Sequence, residues 1–310
     1  MSIPSSLNFR STASEVSAQY APQIRDRVVL VTGVSPNGLG AEASKAIAES
    51  GPKLLILAGR SIQKIKQTQE EIKKVAPDVE TKILVLDLAT FETSRKAGEE
   101  VLSWNIPVDV LINNAGIMAV TDKTLSPDGY ELQFASNHLG PFVFTNTILP
   151  ALRRSVSPRV VSVSSWGHHG SNVDYEDPKA EKSYNKWTRY RSAKTANIQF
   201  AVALTKRGIP SVSLHPGAIR TELTRHLSRE DEIAMGFINE DGAPGTKWEF
   251  KNLSEGAATH IVAAFDPSLK GGEYLDDCQI QPDVEPYAVD PENAEKLWNL
   301  SNEWTGSKFE

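Results

Sequence analysis

From residue 27 onward the chain alternates short, β-branched apolar runs with longer amphipathic stretches, and this alternation constrains the fold more than any other feature. The runs are Val28–Val31, Leu54–Leu57, Ile83–Leu86, Val108–Ile112, Val160–Val163 and Val212–Leu214, each near-continuously apolar or small. Such runs predict strands buried on both faces, because a strand with one wet face alternates apolar with polar residues instead. Between them, Ala41–Glu49, Ile62–Val75, Phe91–Trp104 and Tyr190–Lys206 have helical character, with Ser61 at an N-cap position and Gly51 and Gly208 where helices stop. Repeated strand–helix alternation implies one parallel sheet with crossover helices on both faces.

The flanks are different in texture. Thr12 and Glu15 have capping-box spacing, predicting a helix over 13–21 inside an N-terminal extension of residues 1–25. Residues 26–221 hold the alternating core. Residues 222–251 mix charges with Gly242, Pro244 and Gly245 without clear periodicity, and read as a substrate lobe or lid. Residues 252–310 return to order as the completion of the same domain, with helices over Ser254–Ala264 and Pro291–Asn302 and a short strand at Tyr274–Leu275. A chain of 310 residues has room for two domains, but one unbroken alternation favours a single domain with appendages.

Composition removes several function classes. Lysine plus arginine number 33 against 39 acids, a net charge of −6, which argues against a general nucleic-acid binder. Cys278 is the only cysteine, so no intramolecular disulfide or cysteine metal cluster is available, as suits a reducing compartment. The longest charge-free stretch, Leu132–Leu152, is interrupted by serine, asparagine, threonine, Gly140 and Pro141, and Met1–Gln19 lacks a signal-peptide apolar run. The expectation is a soluble cytoplasmic protein without a membrane anchor. His168 and His169 do not suggest a metal, because adjacent residues on regular structure point apart and no third ligand is evident.

Chemistry concentrates where strands end. The first strand runs into Thr32-Gly33-Val34-Ser35-Pro36-Asn37-Gly38-Leu39-Gly40 and then a helix. Glycines there allow backbone N–H groups to approach a pyrophosphate at a helix N-terminus; an ordinary glycine-rich turn is the alternative. The second strand ends in Ala58-Gly59-Arg60, with no acid to bind a ribose 2′-hydroxyl and an arginine suited to a 2′-phosphate, unless that arginine is merely a solvated surface residue. Asp87 ends the third strand and Asn113-Asn114-Ala115-Gly116 the fourth. Ser164 and Ser165 follow the fifth, and Tyr190 and Lys194 stand four apart on one helical face. An ammonium beside a tyrosine favours phenolate, depressing a pKa of about 10 toward working pH as an acid/base catalyst needs. Tyr175 and Lys179 repeat the spacing, but Pro178 between them would break the aligning helix.

Taken in order, these motifs resemble the short-chain dehydrogenase/reductase family, strongly over residues 26–221 and more loosely beyond. The family landmarks read here as Thr32 to Gly40, Asn113 to Gly116, Asn137, Ser165, Tyr190 with Lys194, and Pro216-Gly217 through Thr221. The resemblance implies an α/β fold, a Rossmann-type doubly wound parallel sheet in a single domain with a C-terminal substrate lobe. It implies NADP as cofactor, NADPH preferred over NADH, bound by Gly33, Ser35, Asn37, Gly38, Leu39, Gly40, Arg60, Asp87, Leu88, Asn114, Ala115, Gly116, Tyr190, Lys194, Pro216, Gly217, Ile219 and Thr221. Tyr190 would protonate the substrate carbonyl oxygen and Ser165, with Ser164 as the fallback, would hydrogen-bond it. Lys194 would hold the ribose and lower the tyrosine pKa. Asn137 would position a water reaching Lys194, while Ile219 and Thr221 would hold the carboxamide.

Ser164-Ser165-Trp166-Gly167-His168-His169, the Asn137-His138-Leu139-Gly140 run and the 25-residue step from Ser165 to Tyr190 look like the retinol-dehydrogenase-like and fungal carbonyl reductase branch. The long step implies an inserted segment, residues 166–189, near the pocket mouth. Three departures stand out: an extra residue between Gly33 and Gly38, Pro141 expected to kink the helix after Asn137, and no membrane-anchoring N-terminal segment, so retinoid activity is not inherited. The expected partner is a small-molecule carbonyl or alcohol, and the expected assembly a monomer or homodimer. Trp166, Leu223, Leu227, Met235 and Phe237 are expected to form an apolar wall for bulky hydrophobic ketones or aldehydes. A non-redox epimerase or cyclase on the same fold, or a nucleotide-sensing binding protein, are the alternatives.

Overall fold

The computed structural model describes residues 2–225 and 227–310; Met1, in the expected extension 1–25, and His226, in the expected lobe 222–251, lie outside the described residues. Each apolar run becomes a strand: β1 Val28–Thr32, β2 Leu54–Gly59, β3 Thr81–Val85, β4 Val110–Asn113, β5 Arg159–Val163 and β6 Ser211–Leu214. With β7 Tyr274–Asp276 and β8 Gln279–Ile280 they form one sheet in the order β3-β2-β1-β4-β5-β6-β7-β8, parallel throughout except for the β7–β8 pair. This is the Rossmann-type doubly wound arrangement. Strand order reverses between β1 and β4, and ligands of such sheets bind in the crevice that the reversal opens at the carboxyl ends.

Side chains along β1 show why the runs are continuous. Val29 and Val31 face a core with the helices Leu39–Glu49 and Leu253–Phe265, whereas Val28 and Leu30 face one with Phe142, Phe144 and Phe200. The expectation of two buried faces fails only at β3, an edge strand whose Val85 is 51% exposed. Its residues 81–83 are only half buried because no strand lies beyond it.

At the N-terminus the Thr12–Glu15 capping box forms as expected, but its helix ends at Gln19, and a second short helix, Ala21–Ile24, follows Tyr20. Pro141 is expected to kink the helix after Asn137; residues Ala135–Leu139 form a π turn in that helix, and Pro141 stands second in the α-helical stretch that continues it, Gly140–Thr147. The tyrosine–lysine helix begins at Lys186 behind the N-cap Asn185, one turn before Tyr190. Residues 222–251 hold more structure than their texture suggests: a 3₁₀ turn at Glu222–Thr224 and a helix, Arg229–Met235, with a Ser228–Asp231 capping box and a left-handed Gly236 cap. Among the described residues, no helix is long and apolar enough to cross a membrane.

Candidate active site

The glycine loop and the loop after β4 are locked together. Gly33 takes φ +75°, and a Cβ there would come 2.7 Å from Ala115 Cα. Thr32 Oγ1 accepts from the Asn114 and Ala115 N–H groups at 3.1 and 3.0 Å, while Asn114 Nδ2 donates to the Thr32 carbonyl at 2.9 Å. Asn114 Oδ1 lies 3.2 Å from His260 Nε2, and burial pushes that imidazole down to about 4, so it is neutral near pH 7. A Cβ on Gly40 would meet Asn114 Nδ2 at 2.5 Å. Of the residues expected to touch the cofactor, Gly40 allows this packing and Asn37, at φ 59°, carries the turn, and these two do not line the cavity.

The other expected nucleotide residues do line it. A cavity of about 1110 Å³ follows the carboxyl ends of the strands. Arg60, Ser61, Lys64, Asp87 and Leu88 lie at the β2–β3 end, then Gly33, Ser35, Gly38, Leu39 and Asn114–Gly116, then Ser165, Tyr190, Lys194, Pro216, Gly217, Ile219 and Thr221 toward β5 and β6. The helix after the glycine loop, Leu39–Glu49, has no side-chain cap, whereas Ser61, Thr90, Asn185 and Asn252 cap four other long helices. Its first-turn N–H groups, at a glycine N-cap lining the cavity, fit the pyrophosphate of a dinucleotide.

Lys194 is buried and its Nζ donates to the Val163 carbonyl at 3.0 Å. Ser164 Oγ donates to the Lys194 carbonyl at 2.7 Å, which occupies the fallback serine. Ser165 Oγ instead accepts from Gly167 N–H at 3.0 Å and stands near the Tyr190 phenol, since a Cβ on Gly167 would lie 3.3 Å from Ser165 Oγ and 3.6 Å from Tyr190 Cε1. Burial pushes that phenol up to about 12, against the lowering by Ser165, and pushes the Lys194 ammonium down to about 8. This reverses the expected direction for the tyrosine. Lys194 Nζ lies over the ring, 5.6 Å from its centroid, while desolvation by burial is the largest influence on the phenol.

Asn137 Oδ1 accepts from Ile117 N–H at 2.8 Å and its Nδ2 donates to the Ile117 carbonyl at 2.9 Å, so its amide braces the β4 loop. A Cβ on Gly116 would lie 3.0 Å from Asn137 Oδ1 and 3.5 Å from Lys194 Nζ, which brings the three together. The second tyrosine–lysine pair is split: the Tyr175 hydroxyl donates to Gln199 Oε1 at 2.9 Å, and Lys179 lies over the Tyr130 ring. His168 and His169 do not point apart, since the 3₁₀ turn Trp166–Gly170 leaves their rings 4.0 Å apart. His168 packs on Tyr274 and His169 Nδ1 lies 3.1 Å from Glu285 Oε1. Among the described residues, no group of three or more histidine, cysteine or acidic side chains is placed to hold a metal.

Beyond Tyr190 the wall becomes aromatic. Trp166, 50% exposed, meets Trp248 edge-on at 5.5 Å, and Trp187, Leu223, Met235 and Phe237 line the same space. Leu227, expected in this wall, packs on the Met118–Tyr190 cluster instead of lining the cavity.

The model of the short chain dehydrogenase family matches residues 27–232. The chain belongs to that family. Over 298 residues it is 38% identical to the short-chain dehydrogenase/reductase prx1 of Penicillium rubens, covering 90% of this chain and 84% of that one. It is 33% identical to human retinol dehydrogenase 12, covering 93% of this chain and 89% of the relative, which supports the retinol-dehydrogenase-like branch. A solved protein from Mycobacterium paratuberculosis superposes with a TM-score of 0.69 at 29% identity, covering 93% and 96% of the two chains. As a short-chain dehydrogenase/reductase the protein is an oxidoreductase.

Several lining residues escaped the sequence reading. Lys64 and Ser61 stand beside Arg60 because Ser61 caps the helix that presents Lys64 one turn on, so the capping signal was available. Arg191 lay unread inside the Tyr190–Lys194 motif, at one of its variable positions. Trp187, Lys247 and Trp248 reach the cavity only through tertiary folding, and no local pattern marks them.

Proposed function

We propose that this short-chain dehydrogenase/reductase is an NADPH-dependent reductase of ketones or aldehydes, reversible as an alcohol dehydrogenase, with Tyr190 as general acid and base. The reading is carried by one observation: Ser165, Tyr190 and Lys194 meet in a cavity whose far end carries Arg60 and Lys64, with Gly59 in place of a carboxylate. The bound nicotinamide supplies or accepts the hydride. Ser165 Oγ hydrogen-bonds the carbonyl oxygen, and Tyr190 Oη gives that oxygen its proton. The Lys194 ammonium stabilises the phenolate that remains, which raises the acidity of a phenol otherwise held at about 12.

Arg60, joined by Lys64, pairs with the 2′-phosphate. Ser35 and the first-turn N–H groups near Gly38 and Leu39 take the pyrophosphate, and Ile219 and Thr221 take the carboxamide. Substrate choice lies in residues 222–251 and the insertion 166–189, whose aromatic wall favours bulky hydrophobic carbonyl compounds and excludes water from hydride transfer. The compartment is cytoplasmic in this reading.

Calorimetry with NADPH and NADH tests the cofactor assignment. NADPH should bind tighter, and Arg60→Ala should weaken it by about 10–100-fold, the worth of a charge-assisted hydrogen bond, with little change for NADH. NADH binding as tightly as NADPH to the unaltered protein would refute it.

A further inference from the structure

The substrate end of the cavity carries charge as well as aromatic surface. Arg191 passes close to the reacting groups along a path that two glycines keep open. A Cβ on Gly167 would lie 3.3 Å from Ser165 Oγ, 3.6 Å from Tyr190 Cε1 and 3.6 Å from Arg191 Cγ. One on Gly170 would lie 2.9 Å from Arg191 Nε. Lys247, in the lobe, lays its stem over Gly236, the cap of the lobe helix, where a Cβ would lie 2.9 Å from Lys247 Cδ. Both residues line the cavity together with Trp166 and Trp248.

Their charges stand out against their surroundings. Nearby cations are neutralised: Lys186 by Asp231, Arg189 by Asp177, Arg220 by Glu232 and Lys251 by Asp277. Among the described residues, no carboxylate pairs with Arg191 or Lys247. Glu222 and Arg225 also line this end, one charge of each sign, and Arg225 Nη1 donates to the Glu222 backbone carbonyl at 2.8 Å, so the count at this end stays positive. A surplus of positive charge therefore faces the substrate in a chain whose net charge is −6, and such a local field draws anions into a cleft.

We propose that the physiological substrate is a carbonyl compound bearing a carboxylate, its apolar or aromatic body lying against Trp166 and Trp248 and its carboxylate held between Arg191 and Lys247. Because Arg191 belongs to the Lys186–Lys206 helix and Lys247 to the lobe, an anion held by both ties the lobe to the core. The inference rests on the reductase reading and narrows its substrate class.

The test compares para-acetylbenzoate with its methyl ester, measuring kcat/KM with NADPH and, separately, calorimetric affinity in the presence of NADP. The acid should be preferred about tenfold or more, as one charge-assisted hydrogen bond allows. R191Q and K247Q should each shrink that acid-to-ester ratio about tenfold, R191K should restore part of it, and added salt should erode it. An ester handled as well as the acid, or variants that lower both by one factor, would overturn the proposal. Turnover without acid preference sinks the anion site and leaves the reductase standing. Tighter, Arg191-dependent acid binding with no turnover of either ketone does the reverse.

Discussion

The two ends of the cavity are built on different principles. At the nucleotide end, backbone meets backbone: the loops after β1 and β4 are spliced by Thr32, Asn114 and His260, and glycines stand where any side chain would collide. At the substrate end, long side chains from the 3₁₀ turn, the Lys186–Lys206 helix and the lobe lean across open space. The first arrangement fixes positions to fractions of an ångström and tolerates little change. The second can be altered residue by residue with the fold intact, which is how one fold serves many substrates.

The hinge between the two ends is Tyr190, and it gives the largest expected effect. Tyr190→Phe should lower turnover at least about a hundredfold, the lower range for general acid catalysis. Tyr175→Phe removes only a hydroxyl bonded to Gln199 and should change little, so comparable losses in both would break the assignment. Next comes the rigid end. Gly40→Ala should cost about 1–3 kcal/mol as the new methyl displaces Asn114, read as a lower Tm together with weaker NADPH binding. A variant with unchanged Tm and NADPH affinity would show that the splice is looser than its geometry implies.

The pH dependence sharpens the contrast at Lys194. Burial lowers this lysine from its ordinary 10.5 to about 8, so the folded protein keeps the ammonium below that pH and loses it above. In the reduction direction kcat/KM should be level below about pH 8 and fall by up to about tenfold per unit above it, because the neutral amine no longer stabilises the developing phenolate. The same shift means the folded chain binds fewer protons than the unfolded one between about pH 8 and 10.5, so Lys194's contribution to stability rises across that window. A profile with no step near 8, or one unchanged in Lys194→Arg, would contradict this origin. The smallest effect belongs to the open end. Trp166→Ala should raise KM for an aromatic ketone by about two- to tenfold, as the loss of an aromatic contact implies, while NADPH affinity stays put. An equal loss of NADPH affinity would show that the two ends are not separable.

Legibility in the sequence follows the same division. The strands, the glycine loop, the Asn113–Gly116 turn and the Tyr190–Lys194 pair are local patterns, each written within a few residues of a strand end. Even the irregularities there have local causes: a π turn precedes Pro141, and Asn37 and Gly40 lie in the loop without lining the cavity. β8 was missed because its hairpin turn uses Asp277 and Cys278 in left-handed conformations, without the glycine or asparagine that usually marks one. The Arg229–Met235 helix did carry a signal, Ser228 three before Asp231, inside a segment that otherwise read as aperiodic. The aromatic wall and the placement of Arg191 and Lys247 on one cavity had none, since only folding brings these residues to it. Spacing also placed Lys194 beside Tyr190 without revealing how far burial would shift both.

The central claim is that Tyr190 works beside a nicotinamide in a redox reaction. The direct measurement is reduction of para-acetylbenzoate with NADPH carrying deuterium at the transferable position of the nicotinamide. The account predicts one NADPH consumed per alcohol formed, with the label on the carbinol carbon, and loss of both in Tyr190→Phe. Conversion without NADPH consumption, or an alcohol free of label, would contradict it.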